Sequence, residues 1–127
     1  MPKTVMVIDD EPGMTELVKI MLRRANLNVL TSTNPLQAIN EIDQTPIDLF
    51  ILDVMMPGMN GFELCQYIRT KPHQSEARII ILTALADLES RQKGQEVGAN
   101  VFMNKSQLSK NLITQVQGLL GVQHSHQ

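Results

Sequence analysis

The sequence predicts an α/β domain, (βα)5, in which five βα units are doubly wound into one parallel five-stranded sheet. Two observations and one rule point there. Four short runs, VMVI (5–8), LFIL (49–52), IIIL (79–82) and VFM (101–103), are continuously apolar, as parallel strands covered on both faces must be. Segments with helical apolar spacing alternate with them. Right-handed crossovers between parallel strands then distribute the helices over both faces of the sheet.

The elements follow in order. After the strand at 5–8, Met14, Leu17, Val18, Met21, Leu22 and Ala25 recur at helical spacing. NVLTS (28–32) is more polar and fits an edge strand. Asn34-Pro35 reads as a cap followed by proline at the first helical position, with Ala38, Ile39 and Ile42 behind it. After the central strand at 49–52, Asn60-Gly61 turns the chain into a helix marked by Phe62, Cys65 and Ile68. After IIIL, Asp87 with Ser90 caps a fourth helix with a thin apolar stripe, weakened further by Gly94. Leu108, Leu112, Val116, Leu119 and Leu120 mark the fifth, for which Ser106 is the expected cap. Residues 1–121 form the predicted domain, and 122–127 a flexible tail.

Bulk composition narrows the function. The chain has 127 residues, enough for one domain with a sizeable core. Its single cysteine, Cys65, cannot form an internal bridge, which favours a reducing, cytoplasmic compartment. No run is long enough to span a membrane. The net charge of −2, one Tyr, three Phe and no Trp argue against a nucleic-acid binder. The eight methionines fit core filling, and His124 and His126 fit a solvated tail rather than a metal site.

Ligands of such sheets bind at the carboxyl ends of the strands. Asp9, Asp10 and Glu11 follow the first strand, Asp53 the third, Thr83 the fourth and Lys105 the fifth. Each alone has an ordinary reading as cap, strand former or surface lysine. Together they put carboxylates close enough to repel strongly unless they share a cation. A hard divalent ion such as Mg²⁺ suits oxygen donors of this kind. Lys105 and the Thr83 hydroxyl, facing the acids, suit an anion held against that ion, and Ala84 is small enough to leave the approach open. The set predicts a phosphoryl receptor whose carboxylate attacks phosphorus to form an acyl phosphate.

With these residues placed, the sequence resembles the response-regulator receiver domain of two-component signalling, from about Lys3 to Leu120. The resemblance is carried by VMVIDDEP (5–12), LFILDVMMPGMNGFE (49–63), IIILTA (79–84) and GANVFMNK (98–105). It implies the flavodoxin-like strand order 2-1-3-4-5. It implies Asp53 as phosphoacceptor, Mg²⁺ bound by Asp10, Asp53 and the Met55 carbonyl, and Asp9 acting mainly through metal-bound water. Thr83, Ala84 and Lys105 would bind the phosphoryl group, with Thr83 and Phe102 as the switch pair. The donor would be a phosphohistidine on a histidine kinase or phosphotransfer protein. The receiver would catalyse only its own phosphorylation and dephosphorylation, as a monomer or weak dimer. The altered surface would be that of the fourth helix, fifth strand and fifth helix. No output domain is evident in the sequence, so the expectation is an unidentified downstream protein partner, a role as a phosphate sink, or a fragment of a longer regulator.

Two departures from the family pattern carry expectations. Ser106 stands where the family usually has a proline after a cis bond, so Lys105–Ser106 is expected trans, or cis under strain, with the lysine less firmly aimed. Met55 is apolar where some members assist an attacking water, which predicts slow loss of the phosphoryl group. Three other readings compete. A haloacid-dehalogenase-like phosphatase needs D-x-D after the first strand, and here Asp9 and Asp10 are adjacent. A flavin mononucleotide protein needs a phosphate loop where three acids stand. A receiver-fold adaptor working without phosphorylation is opposed by the complete acid, hydroxyl and lysine set.

Overall fold

A computed structural model describes residues 2–84 and 87–121. The predicted tail at 122–127, with His124 and His126, lies outside the described residues. Five strands form one parallel sheet in the order β2-β1-β3-β4-β5. They are β1 (Thr4–Ile8), β2 (Asn28–Ser32), β3 (Leu49–Leu52), β4 (Arg78–Thr83) and β5 (Val101–Asn104). The helices are α1 (Pro12–Arg24), α2 (Pro35–Gln44), α3 (Gly61–Arg69), α4 (Leu88–Glu96) and α5 (Leu108–Leu120). The polar run Asn28–Ser32 is an edge strand, as its composition predicts.

The sheet separates two apolar layers. Alternate strand residues, Met6, Ile8, Phe50, Leu52 and Ile79, pack with Ala38 and Ile42 of α2 and Leu64, Cys65 and Ile68 of α3. Their neighbours Val5, Val7, Leu49, Ile51, Ile80 and Leu82 pack with Val18 and Leu22 of α1 and Leu108, Leu112 and Val116 of α5. This division is why the central strands read as unbroken apolar runs. Cys65 is buried, and burial pushes its thiol up to about 11 although Arg69 pulls it down. At neutral pH it is an inert packing group.

Two helix starts are capped as the sequence predicts, and two expected caps are not made. Asn34 caps α2 by accepting from Leu36 N–H, with Pro35 at the first helical position. Asn60 and Glu63 form a reciprocal capping box at α3. Asp87 occupies the cap position of α4 but makes no side-chain capping bond. Ser106 is not the cap of α5 either. A single 3-10 turn, Lys105–Gln107, precedes that helix, and Asn104 caps the turn by accepting from Ser106 N–H at 2.8 Å. Starting the turn from Asn104 allows a reciprocal capping box with Gln107, whose side chain accepts from Asn104 N–H at 3.3 Å, and leaves Ser106 inside the turn.

Two further expectations are corrected in the helices. Leu17 belongs to the apolar spacing of α1 yet is 45% exposed, whereas Thr15 is buried. Thr15 satisfies its hydroxyl by donating to Pro12 C=O at 2.9 Å, so it can face the sheet at little polar cost. In α4 the buried residues are Ser90 and Gly94, four apart. The thin stripe is therefore a close-packing face made of small residues.

Candidate functional site

The carboxyl ends of β1, β3, β4 and β5 meet around a cavity of about 280 Å³, lined by Asp10, Glu11, Asp53, Met55, Thr83, Ala84 and Lys105. Asp53 follows β3 directly, and its N–H donates to the Ile8 carbonyl at 3.1 Å, so the ladder with β1 continues into the site. Its carboxylate is buried, at 5% residue exposure. Oδ1 accepts from Val54 N–H at 2.7 Å, and Oδ2 accepts from Lys105 Nζ at 3.0 Å.

The loop after Asp53 is held against it by a close approach. Gly61 N–H donates to the Val54 carbonyl at 3.0 Å, and a Cβ at Gly61 would lie 2.2 Å from the Asp53 carbonyl oxygen. Only glycine lets the start of α3 sit this near the end of β3.

Lys105 is the electrostatic centre. Its ammonium lies 2.9 Å from Asp9 Oδ2, 2.9 Å from Glu11 Oε1 and 3.0 Å from Asp53 Oδ2. An ammonium has three donors, and three carboxylates take them. Burial works to lower its pKa, but hydrogen bonds to Asp9, Glu11 and Asp53 outweigh that and raise it. The described peptide bonds include no cis bond, so Lys105–Ser106 is trans. The expected looseness of the lysine is not seen, because carboxylates from two other strand ends fix the ammonium directly. Glu11 is the partner that sequence reasoning noted but did not assign.

Asp9, Asp10 and Asp53 can each present a carboxylate oxygen with all these oxygens within 4.8 Å of one another. An all-oxygen set of clustered acids fits a hard divalent cation. The electrostatics of Asp9 agree. Burial pushes its carboxyl above the ordinary value, Glu11 N–H and Lys105 pull it down, and the charge of Asp53 pushes it up again. The folded state thus holds the Asp9 proton more tightly than the unfolded chain. That contribution to stability is present at low pH and is lost as pH rises through the raised value. Asp9→Asn is therefore expected to raise the melting temperature of metal-free protein at pH 7, with the difference closing towards pH 3. A lower melting temperature for the variant at pH 7 would contradict this account.

Of the predicted residues, Asp10, Asp53, Met55, Thr83, Ala84 and Lys105 share the cavity, and Asp9 reaches it through Lys105. Thr83 is fully buried at the end of β4. Met55 lines the cavity and is 64% exposed, so it sits at the solvent edge of the site. Phe102 does not line this cavity; its ring lies against α4. Among the described residues, no helix is long and apolar enough to cross a membrane.

Comparison with known proteins gives a consistent picture. The family model described as "Response regulator receiver domain" matches residues 5–117. The chain is 33% identical over 120 residues to the response regulator GtcR of Aneurinibacillus migulanus, covering 94% of this chain and 48% of that protein. It is 32% identical over 120 residues to the DNA-binding response regulator MtrA of Mycolicibacterium smegmatis, covering 94% of this chain and 51% of that one. The chain thus spans about half the length of these curated relatives. Among solved structures it is similar to chemotaxis protein CheY4 of Vibrio cholerae, with TM-score 0.89 and 28% identity over 94% of this chain and 100% of that one. It is also similar to a receiver domain of DrrB described as BeF3-activated, with TM-score 0.87 and 30% identity over 95% of this chain and 99% of that one.

Proposed function

We propose, for a chain that belongs to the response regulator receiver domain family, a phosphorylation-dependent signalling switch with Asp53 as the phosphoacceptor. As a two-component receiver domain it is a signalling module, and the chemistry proposed for it is confined to its own aspartate. The observation that carries this reading is the buried Asp53 carboxylate facing Lys105 at 3.0 Å across an open cavity.

The reaction is a transfer from the phosphohistidine of a histidine kinase or phosphotransfer protein. An Asp53 oxygen attacks phosphorus, the O–P bond forms and the N–P bond breaks. The imidazole nitrogen leaves with the bonding electron pair and takes up a proton. Val54 N–H holds one carboxylate oxygen, which orients the group for attack. Lys105 places an ammonium beside the oxygens on which charge gathers, while Thr83 and Ala84 border the place the phosphoryl group would occupy. Mg²⁺, held by Asp9, Asp10, Asp53 and the Met55 carbonyl, would neutralise negative charge on acceptor and phosphoryl group. An adjoining cleft of about 450 Å³, formed by Val54, Met55, Met56, Pro57, Asn60 and Phe62 beside Asp10, supports a protein donor docking next to the acceptor. Once formed, the phosphoryl group would draw the Thr83 hydroxyl and shift Phe102, changing the α4, β5 and α5 surface offered to a downstream protein.

Incubation with acetyl phosphate and Mg²⁺ is expected to add one phosphoryl group by intact mass, absent in Asp53→Ala. Met55 offers the attacking water no hydrogen-bonding group of ordinary strength, so the adduct is expected to decay over many minutes rather than seconds. No gain with acetyl phosphate or a cognate phosphodonor would point instead to an adaptor that works without phosphorylation.

A further inference from the structure

The fourth helix contains a residue that helix chemistry alone does not explain. Gly94 lies inside α4, where glycine is a poorer helix former than any residue but proline. It is buried, and the sheet beneath it supplies the reason. A Cβ at Gly94 would lie 2.8 Å from Phe102 Cδ2 and 3.4 Å from Ile81 Cδ1. Ile81 and Phe102 are partners in the β4–β5 register, so the two side chains form one floor under the helix. The Phe102 ring occupies the space that an alanine methyl would need.

One turn earlier, Arg91 holds the same residue from the solvent side. Its guanidinium carbon lies 5.3 Å from the centre of the Phe102 ring. Its Nη1 donates to the Phe102 carbonyl at 3.3 Å. Arg91 itself is exposed, and no salt bridge to it occurs among the described residues. A cavity of about 200 Å³ lies alongside, lined by Arg91, Gln95, Ala99, Asn100, Val101 and Phe102. The ring therefore has contacts from Gly94 and Arg91 and a cavity next to it.

We propose that Arg91 and Gly94 are positioning residues that seat Phe102 against α4 in the unphosphorylated state, and that the strength of this seat sets how readily the domain switches. The inference rests on the switch reading given above and supplies its resting half. A ligand that favours the switched state must overcome the free energy of this seat. Weakening the seat raises the population of the competent state and with it the apparent affinity for that ligand. Both residues contact Phe102, and neither borders the acidic cavity.

The test uses the whole chain, with beryllofluoride and Mg²⁺ as the phosphoryl probe and ¹³C-labelled phenylalanine rings observed by NMR. Without the probe, the Phe102 signals of Arg91→Ala and of Gly94→Ala are expected to move towards those of probe-saturated wild type. Signals of the buried Phe50 should stay in place. The apparent dissociation constant for the probe should fall about two- to fivefold in Arg91→Ala, the size of an exposed cation–π contact. Arg91→Lys, which keeps a cation over the ring, should restore part of the difference. Arg91 is exposed, so its variants fold whether or not Gly94→Ala does. If wild type binds the probe while Arg91→Ala leaves both the Phe102 signals and the constant unchanged, this inference alone is overturned. If wild type takes up no probe, the switch reading fails and the inference falls with it.

Discussion

Lys105→Met is expected to slow phosphoryl uptake from acetyl phosphate by roughly 10²–10³-fold and to lower the melting temperature of the metal-free protein. The two effects share a cause. The Lys105 ammonium is the cation closest to Asp53, and it contacts Asp9, Glu11 and Asp53 at once. In transfer, removal of one preorganised charge beside the phosphoryl oxygens loses stabilisation that develops only in the transition state. In folding, the Asp9 and Asp53 side chains are 4% and 6% exposed, so removal of their shared partner leaves buried charges facing one another. Breaking such a pair costs about 3 kcal/mol at the low end of the usual range. The low end applies because Glu11, the third partner, is 64% exposed and is hydrated without help.

The pH dependence separates this account from simple loss of packing. Lys105 is raised in the folded state, with the carboxylate hydrogen bonds overcoming burial. A cation with a raised value contributes stability that is complete below its unfolded value of about 10.4 and is lost as pH climbs through the folded one. The difference between wild type and Lys105→Met should therefore be level from about pH 6 to 9 and shrink in more alkaline solution. Saturating Mg²⁺ should also narrow it, since a divalent cation compensates the same acids. An uptake rate within threefold of wild type, with an unchanged melting temperature, would remove Lys105 from the site.

The sequence made the site-bearing strand ends legible because four of the predicted strands are apolar runs stopped by a polar group. The runs at 28–32 and 49–52 match β2 and β3 residue for residue. The other three extend over Thr4, Arg78, Thr83 and Asn104, polar residues that pair in the ladder without contributing to an apolar pattern. The acids and lysine were found for the same reason: a parallel sheet aligns the ends of its strands. Contacts made by long side chains across those ends were not legible. Spacing does not reveal that Glu11 reaches Lys105, or that Arg91 lies over Phe102. Periodicity also misleads where a polar residue satisfies itself, as Thr15 does, or where small residues bring a helix close, as Ser90 and Gly94 do.

Gly61→Ala is expected to destabilise the domain by about 3 kcal/mol, the upper end for an overpacked site, and to slow phosphoryl uptake as well. The methyl carbon would lie 2.2 Å from the Asp53 carbonyl oxygen and 3.1 Å from Val54 Cα. Both obstacles are backbone, which cannot swing aside as a side chain can. Relief requires the start of α3 to move away from β3. That motion breaks the Gly61 N–H bond to the Val54 carbonyl and disturbs the turn from which Val54 N–H holds Asp53 Oδ1. A positioning error near 1 Å at a reacting group can cost about a hundredfold in rate, so stability and transfer should fall together. Gly118→Ala is the matched control. Gly118 lies in α5, and an added methyl there would meet nothing within 4 Å. The same substitution should therefore stabilise by about 0.5–1 kcal/mol through helix propensity. Thermal melts of the two variants should thus move in opposite directions, by roughly 10 °C down and a few degrees up for a domain of this size. If Gly61→Ala melts with wild type and is phosphorylated at the same rate, the close approach of α3 to Asp53 has no part in holding the acceptor.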